Sequence, residues 1–551
     1  MHRLKSIKLY FFSILKLFFL SFRNYYYRSN FYNKKLVTFL PSRIFYNPSS
    51  YLSASLTTIS NDFYKITYTS PELLWKINPK DKLEFDNLHN FLWLTKLDRK
   101  NSKIITKNII SSWINNFFNY DPDSWEMEIT AKRVIAWVSN TDLTLENSDK
   151  TYKEKFFLSL IKQSNFLLKN LKNLFNDSTK IICCSGIILS GMIFKENDSN
   201  YTIGIKELEK ITKNYFDETG FPISRNPEEV FISIKYLVLV REWLKEAAKP
   251  IPDFLNEIIH KCGICYSILS CSNKQFPLFN GATEVNYKDY DVFLKNLKYK
   301  FINKNYEIAD FFKIKKKKFE FFIDCGNPPP SNFTKYYQAG CLAFELIANK
   351  QKVICNLGYG KYLSPKLMSL SRSTAAHSTL YINDTSSCTF QKNESINKIY
   401  GSSLVEKHKV TNKNYLENKD FYSIVASHNG YEKKFGYIHK RSIKILKKED
   451  KLFGQDELIK TKSCSNSLYY FIRFHIYPNT KIVKTKAGNS ILISLFNGEG
   501  WLLKSKTNDF RIEKNIFLGN KNKIINNESV SISGNINREI ISIKWEIERV
   551  N

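Results

Sequence analysis

Several places in the sequence put chemistry-bearing side chains at spacings that let them act together. Along Tyr470 to Tyr477 the residues alternate, so Arg473, His475 and Tyr477 share one side of a strand while Ile472, Phe474 and Ile476 take the other. An arginine beside a histidine can hold an anion and move a proton, so this stripe either lines a cleft or is a wet outer face. His377 stands between Arg372 and Asp384 at the start of an expected strand. There a neutral imidazole acts as a base or orients a hydroxyl, or it is simply buried on a backbone hydrogen bond. His428, Tyr431 and His439 form a lesser group of the same kind. Asn226-Pro227-Glu228-Glu229 spells a helix start: Asn caps free amides, Pro suits the first turn, and the acids suit the positive end of the dipole. Arg225 sits just outside that cap and either pairs bidentately with a ligand carboxylate or bridges to a neighbouring acid. Cys262 and Cys265 have the spacing of half a zinc site. They also share a helical stripe with Leu255, Ile258, Ile259, Tyr266 and Leu269, which makes core packing the better reading.

The elements that must position these groups change character along the chain. From about residue 55 to 310 the periodicity is helical, with one stripe of Phe157, Leu160, Ile161, Leu167, Leu168, Leu171, Leu174 and Phe175 and another from Glu228 to Ala248. Between them, Ile181 to Phe194 carries Gly186 and Gly191, small residues that let helices approach closely. This pattern predicts helical hairpins, stacked or closed into an (α/α) toroid over residues 51–312. Beyond the run Lys313 to Lys318, expected to be a solvated linker, the period becomes two. Ile541, Ile543, Trp545 and Ile547 alternate with Ser542, Lys544, Glu546 and Glu548, one of many such runs that predict an antiparallel β-sandwich over residues 319–551.

Residues 1–50 form a basic and apolar segment. Its run from Leu9 to Phe22 is broken by Lys16, is short for a membrane span, and is not followed by a small-residue cleavage site. An interfacial helix touching a membrane through residues 1–25 and a poorly cleaved export signal both remain open. The expected place is the cell envelope or periplasm, with the cytoplasm as the alternative. The 43% of hydrophobic residues exclude a disordered chain, and the ten cysteines lack the dense spacing of a disulfide scaffold. A formal charge of +31 suits a polyanionic partner, or reflects a lysine-rich composition overall. No basic arm or recognition motif points to nucleic acid.

Phrases in order along the chain resemble the heparinase II/III family and its alginate lyase-like relatives. They are Leu88-His89-Asn90-Phe91 with Trp93, Trp125-Glu126 with Arg133 and Trp137, Ile223-Ser224-Arg225-Asn226-Pro227, and Leu278-Phe279-Asn280-Gly281. They continue with Gly340 to Glu345, Ala376-His377-Ser378-Thr379, Ser427 to Tyr431, and Ile472-Arg473-Phe474-His475. The resemblance implies a toroid followed by a sandwich, with a cleft between them, and a lyase that cleaves a uronic-acid-containing polysaccharide by β-elimination. Such chemistry must neutralise the uronate carboxylate, supply a base, and protonate the leaving oxygen.

The sequence also departs from the family. Where relatives carry H-x-H-A-D, with a catalytic histidine and part of a zinc site, this chain has Tyr336-Tyr337-Gln338-Ala339-Gly340. A further zinc aspartate of relatives falls at Asn356, and only the position of His377 keeps a coordinating side chain, so no metal cofactor is expected. An Asn-His pair and a tyrosine of relatives fall near Ser178-Thr179 and at Pro227. The resemblance then makes Tyr336, Tyr337, His377 and Arg225 the expected catalytic residues, with packing or sugar stacking the alternative for the two tyrosines, and Asn226, Gln338, Arg372, Arg473 and His475 binding substrate. The alternative is a glycan-binding or envelope-assembly protein on the same scaffold.

Overall fold

The computed structural model describes residues 2–57, 70–78, 82–175, 177–302, 306–463, 467–506 and 509–550. The chain divides into two units. One holds Met1–Gly220, Phe231–Gly263 and Asp289–Lys300; the other holds Phe221–Val230, Ile264–Lys288 and Phe301–Asn551.

The first unit is helical. Its main helices are Lys103–Phe117, Met127–Val138, Lys150–Asn170, Ser178–Ile193 and Asp198–Tyr215, with most of helices Pro227–Glu246 and Asp253–Leu269. Asp149 and Asp177 start two of these by accepting hydrogen bonds from the amides of Tyr152 and Lys180. The predicted stripe is buried at Phe157, Leu160, Ile161, Leu167 and Leu171, whereas Phe175 lies past the helix end and is exposed. The glycines act as expected: a Cβ on Gly191 would lie 2.1 Å from the amide nitrogen of Tyr201, so only glycine lets helix Asp198–Tyr215 come this close. Cys262 and Cys265 are buried core residues. Arg133 is fully buried, and among the described residues no carboxylate is in hydrogen-bond contact with it. It donates to Gln163 and to the carbonyls of His89 and Ser124, at 2.7, 2.9 and 2.9 Å, and lies 4.0 Å over the Trp113 ring. Trp125 and Trp137 are buried with it, so this phrase is scaffold.

The second unit is a pair of antiparallel sheets. One runs Glu307–Ile308, Phe311–Lys315, Phe319–Asp324, Phe344–Ala348, Gln351–Cys355, Leu468–Ile476, Ile525–Ile536, Arg511–Phe517, with Leu380–Ile382 also paired to Leu468–Ile476. The other runs Lys481–Lys484, Ser490–Ser494, Gly500–Lys504, Ile540–Val550, Lys451–Lys460, Tyr437–Leu446, Phe421–His428, Val410–Glu417. Alternation puts Ile543, Trp545 and Ile547 inward, and the Trp545 ring stacks on Phe344 of the facing sheet at 5.4 Å.

The run Lys313 to Lys318 is not a linker. Phe311–Lys315 is a strand, and Lys313 is buried, donating to the carbonyls of Ile268 and Ser270 at 3.0 and 2.7 Å. Phe311, Phe312, Ile314 and Phe319 draw the segment into the core, and the amine finds carbonyls there instead of water.

A polar pin crosses the apolar interior between the sheets. Arg441 donates to Asp456 at 2.8 and 3.1 Å and to the carbonyls of Leu342 and Ser378 at 2.7 and 2.9 Å. Asp456 also accepts from His439 at 2.7 Å and from Trp545 at 2.9 Å. Burial alone would raise the Asp456 pKa; Arg441 and His439 reverse that and hold it well below the usual carboxylate range. His439 and His428 thereby belong to the core, with His428 Nε2 3.1 Å from His439 Nδ1.

Asp456→Asn leaves the buried Arg441 without its counter-charge and should cost about 3–5 kcal/mol. Urea unfolding followed by tryptophan fluorescence checks this; a loss below about 1 kcal/mol would show that apolar packing alone joins the sheets. Burial also pulls His89, His377, His408 and His475 down to about 3. The unfolded chain protonates these rings near pH 6.5 and the folded chain does not, so their contribution is intact above 6.5 and drains away as pH falls toward 3. Each costs about 1.4 kcal/mol per pH unit in that window. The urea midpoint should therefore drop between pH 7 and pH 5; a flat midpoint would show rings that titrate normally.

Candidate functional site

The predicted site residues all fall in the second unit, and one of them, Arg225, is held by a buried carboxylate. Asp324 ends a central strand and is buried. One of its oxygens accepts from Arg225 Nη2 at 2.8 Å and from the Gly326 amide at 2.9 Å; the other accepts from Asn280 at 3.0 Å. Arg225 reaches it from a left-handed backbone conformation, φ 61°, and also donates to the carbonyl of Ala309 at 2.9 Å. Its guanidinium lies 4.6 Å over Phe311, and a Cβ on Gly326 would be 2.1 Å from the guanidinium carbon. Burial opposes the charge, but Asp324 more than offsets it and keeps the Arg225 pKa above its ordinary value. Of the two uses foreseen for Arg225, the structure holds the bridge to a neighbouring acid.

Asn226 caps helix Pro227–Glu246, its side-chain oxygen accepting from the Glu228 amide at 2.9 Å. Glu228 accepts from the Thr283 amide and hydroxyl at 2.9 and 2.8 Å and from Lys521 at 2.6 Å. Burial would raise the Glu228 pKa; Lys521 and the Thr283 donors outweigh it and lower it. Gly281 sits where a Cβ would lie 2.9 Å from Tyr336 and 3.3 Å from the Asn226 amide group. Its own amide donates to Gln338 at 2.8 Å. Asn226, Tyr336 and Gln338 are thus brought together.

Within the segment that replaces H-x-H-A-D, alternate residues have different fates. Tyr336 is half-buried at the surface, whereas Tyr337 is fully buried, its hydroxyl makes no hydrogen bond, and burial pushes its pKa far up. Gln338 is spent on structure, donating to the carbonyls of Gly358 and Ser371 at 3.0 and 2.6 Å. Arg372 is buried and donates to the carbonyls of Tyr337 and Thr334, both at 2.8 Å; burial pulls its pKa down to about 10. Gly340 packs on His377: a Cβ there would lie 2.9 Å from Nδ1. His377 is buried, and neither ring nitrogen makes a hydrogen bond of good geometry. Asn356 accepts from the Ser378 amide at 3.1 Å. An amide at Asn356, an amide at Gln338 and a glycine at Gly340 around one histidine do not make a zinc donor set. The described residues hold no group of three His, Cys, Asp or Glu arranged for a metal ion.

The Arg473 stripe is likewise occupied by protein partners. Arg473 pairs with Glu513 at 3.0 Å, and Tyr477 donates to Glu284 at 2.7 Å. His475 is buried, with Nε2 3.0 Å from the Ala375 carbonyl and Nδ1 2.8 Å from the Asn515 amide group, which fixes its tautomer with the proton on Nε2. In the helical unit Ser178 opens a helix and Thr179 donates to Glu128 at 3.2 Å.

Sequence reasoning missed the cations around Tyr336. The ammonium groups of Lys335 and Lys361 lie 4.8 and 4.9 Å from its ring centroid, and Lys361 is equally 4.9 Å from Tyr362. Lys521, paired with Glu228, is 5.6 Å from Tyr362, and the Tyr359 ring meets Tyr336 edge-on at 5.9 Å. The run Gly358-Tyr359-Gly360-Lys361-Tyr362 does interleave aromatic and basic residues, the pattern of a surface for anions. In a chain with 83 Lys and Arg and 15% aromatics it does not stand out.

Residues 303–546 match the family model described as heparinase II/III-like, C-terminal. FtsZ-localized protein C of Caulobacter vibrioides is 22% identical over 448 residues, 77% of this chain and 75% of that protein. Among solved structures, a heparinase III superposes with a TM-score of 0.69 at 15% identity, covering 87% of this chain and 79% of that one. The heparan sulfate lyase HepC of Pedobacter heparinus gives 0.60 at 12% identity, covering 94% and 87%. At these identities the likeness is one of fold, helices followed by antiparallel sheets. The family likeness by sequence is thus to the heparinase II/III-like C-terminal family and lies in the two-sheet part, residues 303–546.

Proposed function

We propose that the protein is a polysaccharide lyase that cleaves a uronic-acid-containing acidic glycan by β-elimination, with Tyr336 and the surrounding lysines as its working site. The observation that carries this reading is the half-buried Tyr336 ring with two ammonium groups within 5 Å of its centroid. A uronate carboxylate set against Lys335 and Lys361 is neutralised, which makes the adjacent carbon-bound proton easier to remove. Tyr336 acting as phenolate takes that proton, and the phenol so formed gives it to the leaving glycosidic oxygen as the carbon–oxygen bond breaks and the double bond forms, which regenerates the phenolate. Tyr362 and Tyr359 offer ring faces and edges for sugars, and the formal charge of +31 concentrates a polyanion near the surface. Arg225, Asn226, Gln338 and Arg372 act here as positioning residues, since their hydrogen bonds hold the backbone around Tyr336.

A second reading, glycan binding without cleavage, is favoured by a specific observation: Tyr337 and His377, two of the residues expected to be catalytic, are buried. Incubating the protein with heparan sulfate, alginate and bacterial exopolysaccharides while following the ultraviolet absorbance of unsaturated uronate separates the two. The lyase reading expects product that Tyr336→Phe reduces by about 10²–10⁴-fold, the usual share of a general acid or base. It also expects Lys361→Ala to lower kcat as well as raise KM, because the ammonium group helps to neutralise the carboxylate as the proton leaves. No product from any glycan, together with retention on a glycan column that Lys361→Ala abolishes, would leave the binding reading in place of the lyase.

A further inference from the structure

Helix His2–Arg28 lies outside everything the glycan site explains. Its C-terminal end is fastened to the helical unit: the Tyr27 hydroxyl donates to Asn170 at 2.5 Å, and the Tyr27 ring stacks on Tyr32 at 4.3 Å and meets Tyr120 edge-on at 5.2 Å. The stretch before that end is bare. Ile7, Phe11, Phe18 and Phe22 are exposed at 64, 64, 67 and 64%, with Ile14 and Leu15 exposed between them. Positions 7, 11, 14, 15, 18 and 22 follow the helical repeat, so these side chains make one apolar stripe about four turns long. Lys8 borders that stripe, Lys16 and Arg23 lie further round on the same side of the helix, Arg23 with its guanidinium 5.5 Å over the Tyr27 ring, and the first acidic residue in the sequence is Asp62. A soluble surface does not ordinarily expose a stripe of this size. No described helix is long and apolar enough to cross a membrane.

We propose that this helix lies in the plane of an anionic lipid bilayer, with Ile7, Phe11, Phe18 and Phe22 in the acyl boundary and Lys8, Lys16 and Arg23 reaching lipid phosphates. An apolar stripe of this width takes a bilayer or another apolar surface. The unbroken positive charge beside it selects a surface carrying negative headgroups. The tyrosine cluster at the helix end then holds the helical unit against that surface.

The test is co-sedimentation of the full chain with vesicles of phosphatidylcholine alone and of phosphatidylcholine mixed with phosphatidylglycerol, at low and high salt. The expected result is binding to the mixed vesicles that weakens with salt. Phe11→Ser, Phe18→Ser and Phe22→Ser together should weaken it at least about tenfold, a modest share of what burying three phenyl groups supplies. These side chains are exposed, so an unchanged circular dichroism melt will show that the variant folds. Lys8→Ser, Lys16→Ser and Arg23→Ser together should remove the preference for phosphatidylglycerol. Equal binding to both vesicle types would overturn the anionic surface. Failure to bind either, with concentration-dependent self-association that the phenylalanine variant abolishes, would overturn the bilayer in favour of a second copy of this chain.

Discussion

The buried carboxylate of Asp324 is the constraint around which the second unit is organised. Three donors from separate stretches of chain converge on it: the Arg225 guanidinium, the Asn280 amide and the Gly326 backbone. A lone buried carboxylate is costly, and these three donors offset that cost, two of them from a bent backbone. Arg225 and Asn280 both have positive φ, 61° and 50°, a conformation uncommon for arginine and easier for asparagine, and here each is held by its bond to Asp324. The loop before helix Pro227–Glu246 and the loop around Gly281 are thus fixed to the strand edge by charge, and Tyr336 inherits its position from them.

The same principle recurs at larger scale. Arg441, held by Asp456 on the neighbouring strand of its own sheet, reaches across to the carbonyls of Leu342 and Ser378, and Glu345 with Lys352, 3.3 Å apart and without solvent exposure, holds the chain near Leu278 through the Leu278 amide. In each case an ion pair is surrounded by backbone donors or acceptors. That is what allows charge in an interior otherwise made of phenylalanine, isoleucine and leucine.

Much of this was legible from residue order. Period two in Ile541 to Ile547 and the helical stripes at Phe157 and Leu160 report burial directly, because both are one-dimensional projections of a face. The glycines at 186 and 191 were legible for the same reason. What resisted was any feature in which a polar residue is buried by partners distant in sequence. The lysine run at 313 reads as solvent-facing until the carbonyls of Ile268 and Ser270 come into view. Arg473, His475 and Tyr477 do share a strand side, but Glu513, Ala375, Asn515 and Glu284 already occupy them. The cations of the candidate site were hidden differently: Lys335, Lys361 and Lys521 converge across 186 residues of sequence, and composition masks each one.

The contact between Gly340 and His377 limits what this position can hold. With a Cβ on Gly340 only 2.9 Å from the ring nitrogen, a Gly340→Asp change would collide with His377. Both residues are buried, so the ring would have to move before any larger side chain fitted at this position. Packing around the ring thus works as a lock that keeps glycine here, whatever chemistry the histidine does.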